Sequence, residues 1–243
     1  MERRIIMHAR VSVLFPTRRR PELAKRAISS LYNSLGEFKD IEIIIACDND
    51  DTNSRDEIMS FTANTFPDLK IGCLTCERMG YGKINEYFNL MIPLTSPNSE
   101  MILFWGDDYI MKTEDWTTIL YNHYKKSFGV YFLLVKRGGK ILPNPTSFAL
   151  PKKWFNVVGS LGNPIDSWLA EVGKRAGCYY KLNDLLVIEE RMSLSDETQR
   201  DTEIAKKAWG KDWKSRSSCK INIDVEMIRD YMLFLESNSN QDK

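Results

Sequence analysis

The sequence predicts an α/β protein with a mostly parallel central sheet flanked by helices. Three observations carry that prediction. Short apolar runs closed by turn residues alternate with helical patterns from Val11 onward, the order expected of a parallel sheet with helices on its faces. Two of these runs, Ile41–Cys47 and Met101–Trp105, are almost unbroken in apolar residues, as buried strands are. Each then breaks into acids, DNDD after the first and Asp107–Asp108 after the second. In open α/β sheets the C-terminal edge of the strands is where ligands bind, so these carboxylates stand where charge is used.

The elements follow in chain order. Val11–Phe15 is a strand, followed by Pro16, Thr17, the run Arg18–Arg20 and Pro21. Proline suits the first position of a helix, and Leu23, Ala24, Ala27, Ile28, Leu31, Tyr32 and Leu35 share one helical face before Gly36 ends it. After the strand Ile41–Cys47, residues 56–61 are expected as a short helix capped by Asn53 or Ser54, and Lys70–Thr75 as a third strand. Residues 77–89, ERMGYGKINEYFN, form a glycine-containing turn running into a helix. Its lone GxG lacks the spacing of a dinucleotide fingerprint and does not follow the first strand, which excludes a Rossmann cofactor site. Met101–Tyr109 is a strand broken at Gly106 into the loop of Asp107 and Asp108. Beyond it come a helix at Trp116–Tyr124 and strands at Val130–Val135 and Thr146–Leu150, the latter running into Lys152–Val158. An amphipathic helix opens near Asp166, a strand at Leu185–Glu190 closes in acids, and a last helix spans Val225–Leu235 before the polar end ESNSNQDK. No repeat or low-complexity linker interrupts the chain, so one domain over residues 1–236 and a tail over 237–243 are expected.

Composition removes several classes of function. Among 243 residues, 34 basic and 33 acidic side chains leave a net charge of +1, so any nucleic-acid or membrane partner must be met by a local patch. No apolar run approaches the ~18 residues that span a bilayer. MERRIIMHARVSVLF lacks a small-residue cleavage site, and a cytoplasmic protein without a membrane span is expected, whether in a bacterium or in a virus-infected host cell. The 5 cysteines are odd in number and scattered, which suits reduced thiols. Cys73 and Cys76 form a CxxC with no second pair and no nearby histidine, either a zinc half-site or, more simply, two packed thiols. With His8 and His123 as the only 2 histidines, the first beside the first strand and the second inside a helix, a His-dependent triad or multi-histidine metal centre is not expected.

Two adjacent carboxylates on a short loop suit magnesium or manganese, which take one or two carboxylates and leave the other positions to water and phosphate oxygens. The alternative is an ordinary acidic turn. The run Arg18–Arg20 is either a solvated helix start or a source of positive charge for phosphates or an acceptor. Asp166 is either the cap of its helix or a carboxylate aimed at a reacting group.

The segments VSVLFPTRRRP, IEIIIACDNDDTNS, GYGKINEYFN and MILFWGDDY come in the order and spacing of the family 2-like glycosyltransferases, and the chain resembles that family over about residues 10–205. The resemblance implies a GT-A fold, a nucleotide diphosphate sugar as donor, most simply a UDP-sugar, and Mn2+ or Mg2+ as cofactor. It places Pro16, Thr17 and Arg18 beside the nucleotide, Asp48 on the uracil with Asp50 in the same loop, and Gly80, Lys83 and Asn85 in the glycine turn. Asp107 and Asp108 map to the acids that hold the metal and diphosphate. Asp166, with Glu171 as the fallback, maps to the carboxylate base of an inverting enzyme, and Glu190 stands where relatives often place a histidine ligand. Two further departures are the missing asparagine before the glycine turn and a turn about one residue shorter than usual. The donor half is then about residues 10–110 and the acceptor half about 111–236. The acceptor is a glycan, a small molecule, a protein or a modified DNA base, the last requiring a cationic patch such as Lys211–Arg216 with Trp209 and Trp213 interleaved. The stretch holding Asp196 and Asp201 is a candidate lid over the donor. A nucleotidyltransferase with the same core, or a non-catalytic nucleotide- or glycan-binding module, are the alternatives.

Overall fold

The computed structural model describes residues 10–36, 39–143, 146–190, 203–204, 207 and 217–239. Asp196, Asp201, Trp209, Lys211–Arg216 with Trp213, His8 and the last four residues of the tail lie outside the described residues. Strands run over β1 (Arg10–Thr17), β2 (Ile41–Asp48), β3 (Lys70–Cys76), β4 (Ser99–Phe104), β5 (Tyr109–Met111), β6 (Val130–Arg137), β7 (Lys140–Ile141), β8 (Phe148–Pro151) and β9 (Tyr179–Glu189). The helices are α1 (Pro21–Asn33), α2 (Thr52–Thr65), α3 (Ile84–Met91), α4 (Trp116–Lys126), α5 (Lys153–Val158), α6 (Ile165–Ala176) and α7 (Ser218–Ser239).

One sheet joins the strands in the order β3-β2-β1-β4-β8-β6-β9-β5, with β7 on β6. β1 to β4 are mutually parallel, and β6 and β9 point the same way because the antiparallel β8 stands between β4 and β6. The C-terminal ends Thr17, Asp48, Phe104, Arg137 and Glu189 therefore share one edge of the sheet. Strand order reverses direction at β1 between β2 and β4, the switch point where open α/β sheets form their binding crevice.

Both faces of the sheet are covered, which is why the central strands read as unbroken apolar runs. Val11, Val13, Phe15, Ile43, Ile45 and Leu103 pack with Ala27, Ile28 and Leu31 of α1, Ile58 of α2 and Trp116 of α4. On the opposite face Leu14, Ile44, Ile102 and Phe104 pack with Tyr87 and Phe88 of α3, Trp154 of α5, Trp168 and Leu169 of α6 and Val225 of α7. Trp168 buries its indole completely and donates Nε1–H to Asp224 Oδ2 at 3.1 Å, which satisfies the ring and ties α6 to α7.

Several boundaries differ from the sequence-based expectation, among them α7, which runs Ser218–Ser239 where the sequence predicts Val225–Leu235 and a tail from 237. α2 runs Thr52–Thr65 with Asp51 at its N-cap position, because its buried stripe is only Ser54, Ile58 and Thr62 and two of those three are polar. β9 begins at Tyr179 rather than near Leu185, since its first half exposes Lys181, Asn183 and Asp184 and lacks an apolar run. Pro164, not Asp166, holds the N-cap position of α6.

The turn into β6 needs glycine for a reason of space. A Cβ on Gly129 would strike the Cys178 carbonyl oxygen and the Tyr180 ring, and the oxygen belongs to backbone that cannot rotate away. Gly129→Ala is expected to cost about 3 kcal/mol, at the upper end for overpacking, measured as a lowered denaturant midpoint at unchanged m. An unchanged midpoint would show that this contact yields freely.

Candidate functional site

The switch-point crevice is built from three strand ends. β1 and β4 stay paired only as far as Leu14 and Phe104, and then separate. Pro16, which has no N–H to give a ladder, falls on the stretch that β4 has already left. Across the gap Thr17 Oγ1 donates to Asp107 Oδ2 at 2.9 Å, and Arg20 donates to Asp107 Oδ1 at 3.1 Å. Asp107 is 8% exposed, so its charge is held by these donors rather than by bulk water.

The end of β2 is neutralised by the same β1–α1 turn. Arg18 donates to Asp48 Oδ2 and to Asp50 Oδ2, each at 2.8 Å, and its second contact to Asp50 makes that pair bidentate. This arginine, through a hydrogen bond first, holds the Asp50 carboxyl down at about 2, and the two acids raise the guanidinium further. Between Arg18 and Arg20 the chain takes a left-handed conformation at Arg19 (φ 52°), where the Arg19 N–H donates to Asp51 Oδ2 at 2.5 Å. A non-glycine residue at positive φ costs of order 1 kcal/mol, and here it stands between Arg18, which turns to Asp48 and Asp50, and Arg20, which turns to Asp107.

The remaining oxygen of Asp48 meets Tyr87 of α3, whose hydroxyl lies 2.5 Å from Oδ1. The same hydroxyl accepts the N–H groups of Met79 at 2.9 Å and Gly80 at 3.3 Å, so the glycine turn is fastened to the end of β2. Lys83 is exposed at the end of that turn. Asn85, 5% exposed, donates to the Leu161 carbonyl at 3.4 Å, and Asn163 donates to the Gly82 carbonyl at 2.6 Å. These bonds bring the start of α6 against the glycine turn. Asp166, second residue of α6, accepts the Ser167 N–H at 2.8 Å, while burial pushes its carboxyl above the usual range. Glu171 lies half-buried further along the same helix.

Asp108 is the site's strained charge. Its carboxyl is pushed up to about 7 by burial first, then by Asp107 and Glu189, against the pull of Arg20. Gly106 makes the geometry possible, because a Cβ there would sit 2.8 Å from Asp108 Oδ1. The pairing of β5 with β9 sets Tyr109 opposite Glu189, and Glu190 N–H donates to the Asp108 carbonyl at 2.8 Å. Neighbouring strand residues point to opposite faces, so the two glutamates part company. Glu189, 7% exposed, is bound through both oxygens by Arg137, whereas Glu190 reaches Arg26 on α1.

Thr17, Arg18, Asp48, Asp50, Asp107 and Asp108 are thus gathered at one edge, with Gly80 joined to them through Tyr87 and Asp166 through the Asn163 loop. Among the described residues no three His, Cys, Asp or Glu side chains form a group placed to hold a metal. Asp107 and Asp108 nevertheless fit a cation that takes its other ligands from phosphate and water, since a half-buried carboxylate repelled by two acids gains from an added positive charge. Tyr87 and Arg137 were not legible as site residues, whereas Glu189 stood beside Glu190 among the acids that close the last strand. Strand alternation from Glu190 points to Glu189, but nothing in the local sequence marks Tyr87.

Strand order, switch-point crevice and the helices on both faces together define a mostly parallel α/β domain, and the chain has the GT-A fold. No protein-family model matches the sequence, and no curated protein matches it either. Solved structures do. The mannosyltransferase PcManGT from Pyrobaculum calidifontis, in complex with GDP-Man and Mn2+, superposes with a TM-score of 0.61 at 14% identity, over 80% of this chain and 60% of its own. TarS of S. aureus in complex with UDP gives 0.61 at 12% identity, over 86% and 74%. A 4-diphosphocytidyl-2C-methyl-D-erythritol synthase from Anaerococcus prevotii gives 0.53 at 14% identity, over 83% of this chain and 98% of its own. The chain therefore spans about three fifths of the length of the mannosyltransferase. Among the described residues no helix is long and apolar enough to cross a membrane.

Proposed function

We propose that this protein is a metal-dependent glycosyltransferase that moves a sugar from a nucleotide diphosphate sugar, with a UDP-sugar favoured, to an acceptor hydroxyl. The observation that carries this reading is the gathering of Thr17, Asp48, Asp107 and Asp108 around the β1–β4 crevice. Similarity to structures bound to GDP-Man with Mn2+ and to UDP supports it.

In this reading Asp48 accepts a hydrogen bond from the nucleobase, with Pro16, Arg18 and Asp50 forming the wall beside it. Asp107 and Asp108 hold Mn2+ or Mg2+, whose chemistry is to offset the charge of the departing diphosphate. Lys83, exposed on the glycine turn with Gly80 and Asn85, adds positive charge on the same side. Asp166 takes the proton of the acceptor hydroxyl, with Glu171 as the alternative base, and the product is inverted. Burial of Asp166 suits that role, because a base with a raised pKa binds the proton it removes more firmly. Glu190, paired with Arg26, reaches a cation only by leaving that partner. The donor half is residues 10–110, and the acceptor is a glycan, a small molecule or a modified DNA base met by residues 111–236.

The test is thermal stability against a panel of nucleotides and nucleotide sugars, with and without manganese. A ligand specific to the folded state at 100 times its Kd stabilises by about 2.7 kcal/mol. A metal-dependent rise with UDP or a UDP-sugar is expected, and no rise with any nucleotide under any metal condition would remove the reading. A nucleotidyltransferase is the second reading, favoured by the similarity that spans 98% of the 4-diphosphocytidyl-2C-methyl-D-erythritol synthase. Release of pyrophosphate instead of nucleoside diphosphate from the productive substrate distinguishes it.

A further inference from the structure

The Tyr87 hydroxyl stands where three pieces of the chain meet: β2 through Asp48, the residues after β3 through Met79 and Gly80, and α3, which carries the tyrosine itself. A phenol has one proton to give and two lone pairs to receive. Here both incoming partners, the Met79 and Gly80 N–H groups, are backbone donors that cannot reverse. The phenol proton therefore points at Asp48 Oδ1. Arg18, a donor without an acceptor, occupies the other oxygen. Asp48, 3% exposed, is fixed from both sides as a carboxylate with only lone pairs left to offer.

We propose that Tyr87 is a positioning residue that locks Asp48 as a hydrogen-bond acceptor, so that the donor site selects a nucleobase presenting a ring N–H. The inference rests on the nucleotide-sugar reading, and names the base class that this site takes. Uracil at N3 and guanine at N1 carry a proton on the ring nitrogen of their pairing edge. Cytosine at N3 and adenine at N1 carry a lone pair there, which meets the carboxylate as acceptor against acceptor. A base that faces this carboxylate with a lone pair gains no hydrogen bond and meets acceptor repulsion in a site poor in water, whereas a ring N–H gains a charge-assisted bond there. Tyr87 is 6% exposed, and burial followed by Asp48 pushes its hydroxyl up to about 12, so it keeps the proton at working pH.

The experiment is calorimetric titration of the full chain, with manganese, by UDP, GDP, CDP and ADP, and by inorganic pyrophosphate. The wild type is expected to bind UDP or GDP at least about tenfold more tightly than CDP and ADP. In Tyr87→Phe that ratio is expected to fall about tenfold while the Kd for manganese pyrophosphate stays within about a factor of two, because the ring still packs and the acids at β4 are untouched. A general loosening of the fold would weaken pyrophosphate along with the bases, and that result overturns the positioning role. So does an unchanged base ratio in the variant. Should Tyr87→Phe fail to fold, the wild-type panel still decides: equal binding of UDP, GDP, CDP and ADP overturns the selection. Nucleotide binding with no base preference sinks this inference alone, whereas no binding by any nucleoside diphosphate removes the transferase reading beneath it.

Discussion

On the proposed transferase reading, Asp108→Asn is expected to abolish sugar transfer and, in the absence of a divalent cation, to make the protein more stable above neutral pH. The first effect follows from the chemistry of the leaving group. A diphosphate departing in a water-poor crevice needs fixed positive charge, and losing a cation ligand is expected to lower kcat/KM by at least about 10³-fold. The second follows from linkage. The folded-state carboxyl sits at about 7 against an ordinary 3.8, so it is raised. A raised carboxyl contributes its stability below the unfolded value and loses it as pH climbs through the folded one. Above pH 7 the buried charge therefore costs folding up to about 4 kcal/mol, at 1.36 kcal/mol for each step of pKa. Asparagine removes that cost while keeping the shape over Gly106. Melting curves of both proteins in chelator from about pH 3.5 to 8.5 check it. They should nearly coincide at the acid end and separate at the alkaline end, with the variant higher. Parallel curves would mean that Asp108 is solvated and is no cation site.

Burial on both faces explains how much of the fold the sequence disclosed. Ile41–Cys47 and Met101–Trp105 announce themselves because each alternating residue meets an apolar helix, and their acids follow at the strand ends, Asp48 as the last residue of β2 and Asp107 three residues past β4. α2 was half hidden, since a stripe of Ser54, Ile58 and Thr62 has the period of a helix with little of its hydrophobicity. Asp48, Asp107 and Asp108 were legible as a motif. Their restraints were not, because those come from distant parts of the chain: Thr17 reaches Asp107 across 90 residues, and Tyr87 reaches Asp48 across 39. Glu190 and Glu189 show the same limit at closer range. Both close the strand in sequence, and only the pairing of β9 with β5 turns one toward Asp108 and the other toward Arg26.

Asp166→Asn separates the two roles that its position allows. As the second residue of α6 the carboxylate sits among the N–H groups of the first turn, and its Oδ1 accepts the Ser167 N–H at 2.8 Å. Asparagine retains a side-chain oxygen for that bond, so the helix start survives at a cost of about a few tenths of a kcal/mol. What asparagine cannot do is take a proton. If Asp166 is the base, kcat is expected to fall about 10²–10⁴-fold while donor affinity holds, since base and nucleotide act on opposite sides of the sugar. The wild-type pH profile supplies an independent check. Burial raises the Asp166 carboxyl. A base works ionised, so activity should fall away on the acid side at a pH above the ordinary aspartate range, and the limb should vanish in the variant. A variant that keeps wild-type kcat assigns Asp166 to the helix start and moves the search for a base to Glu171, whose own substitution by glutamine then repeats the measurement.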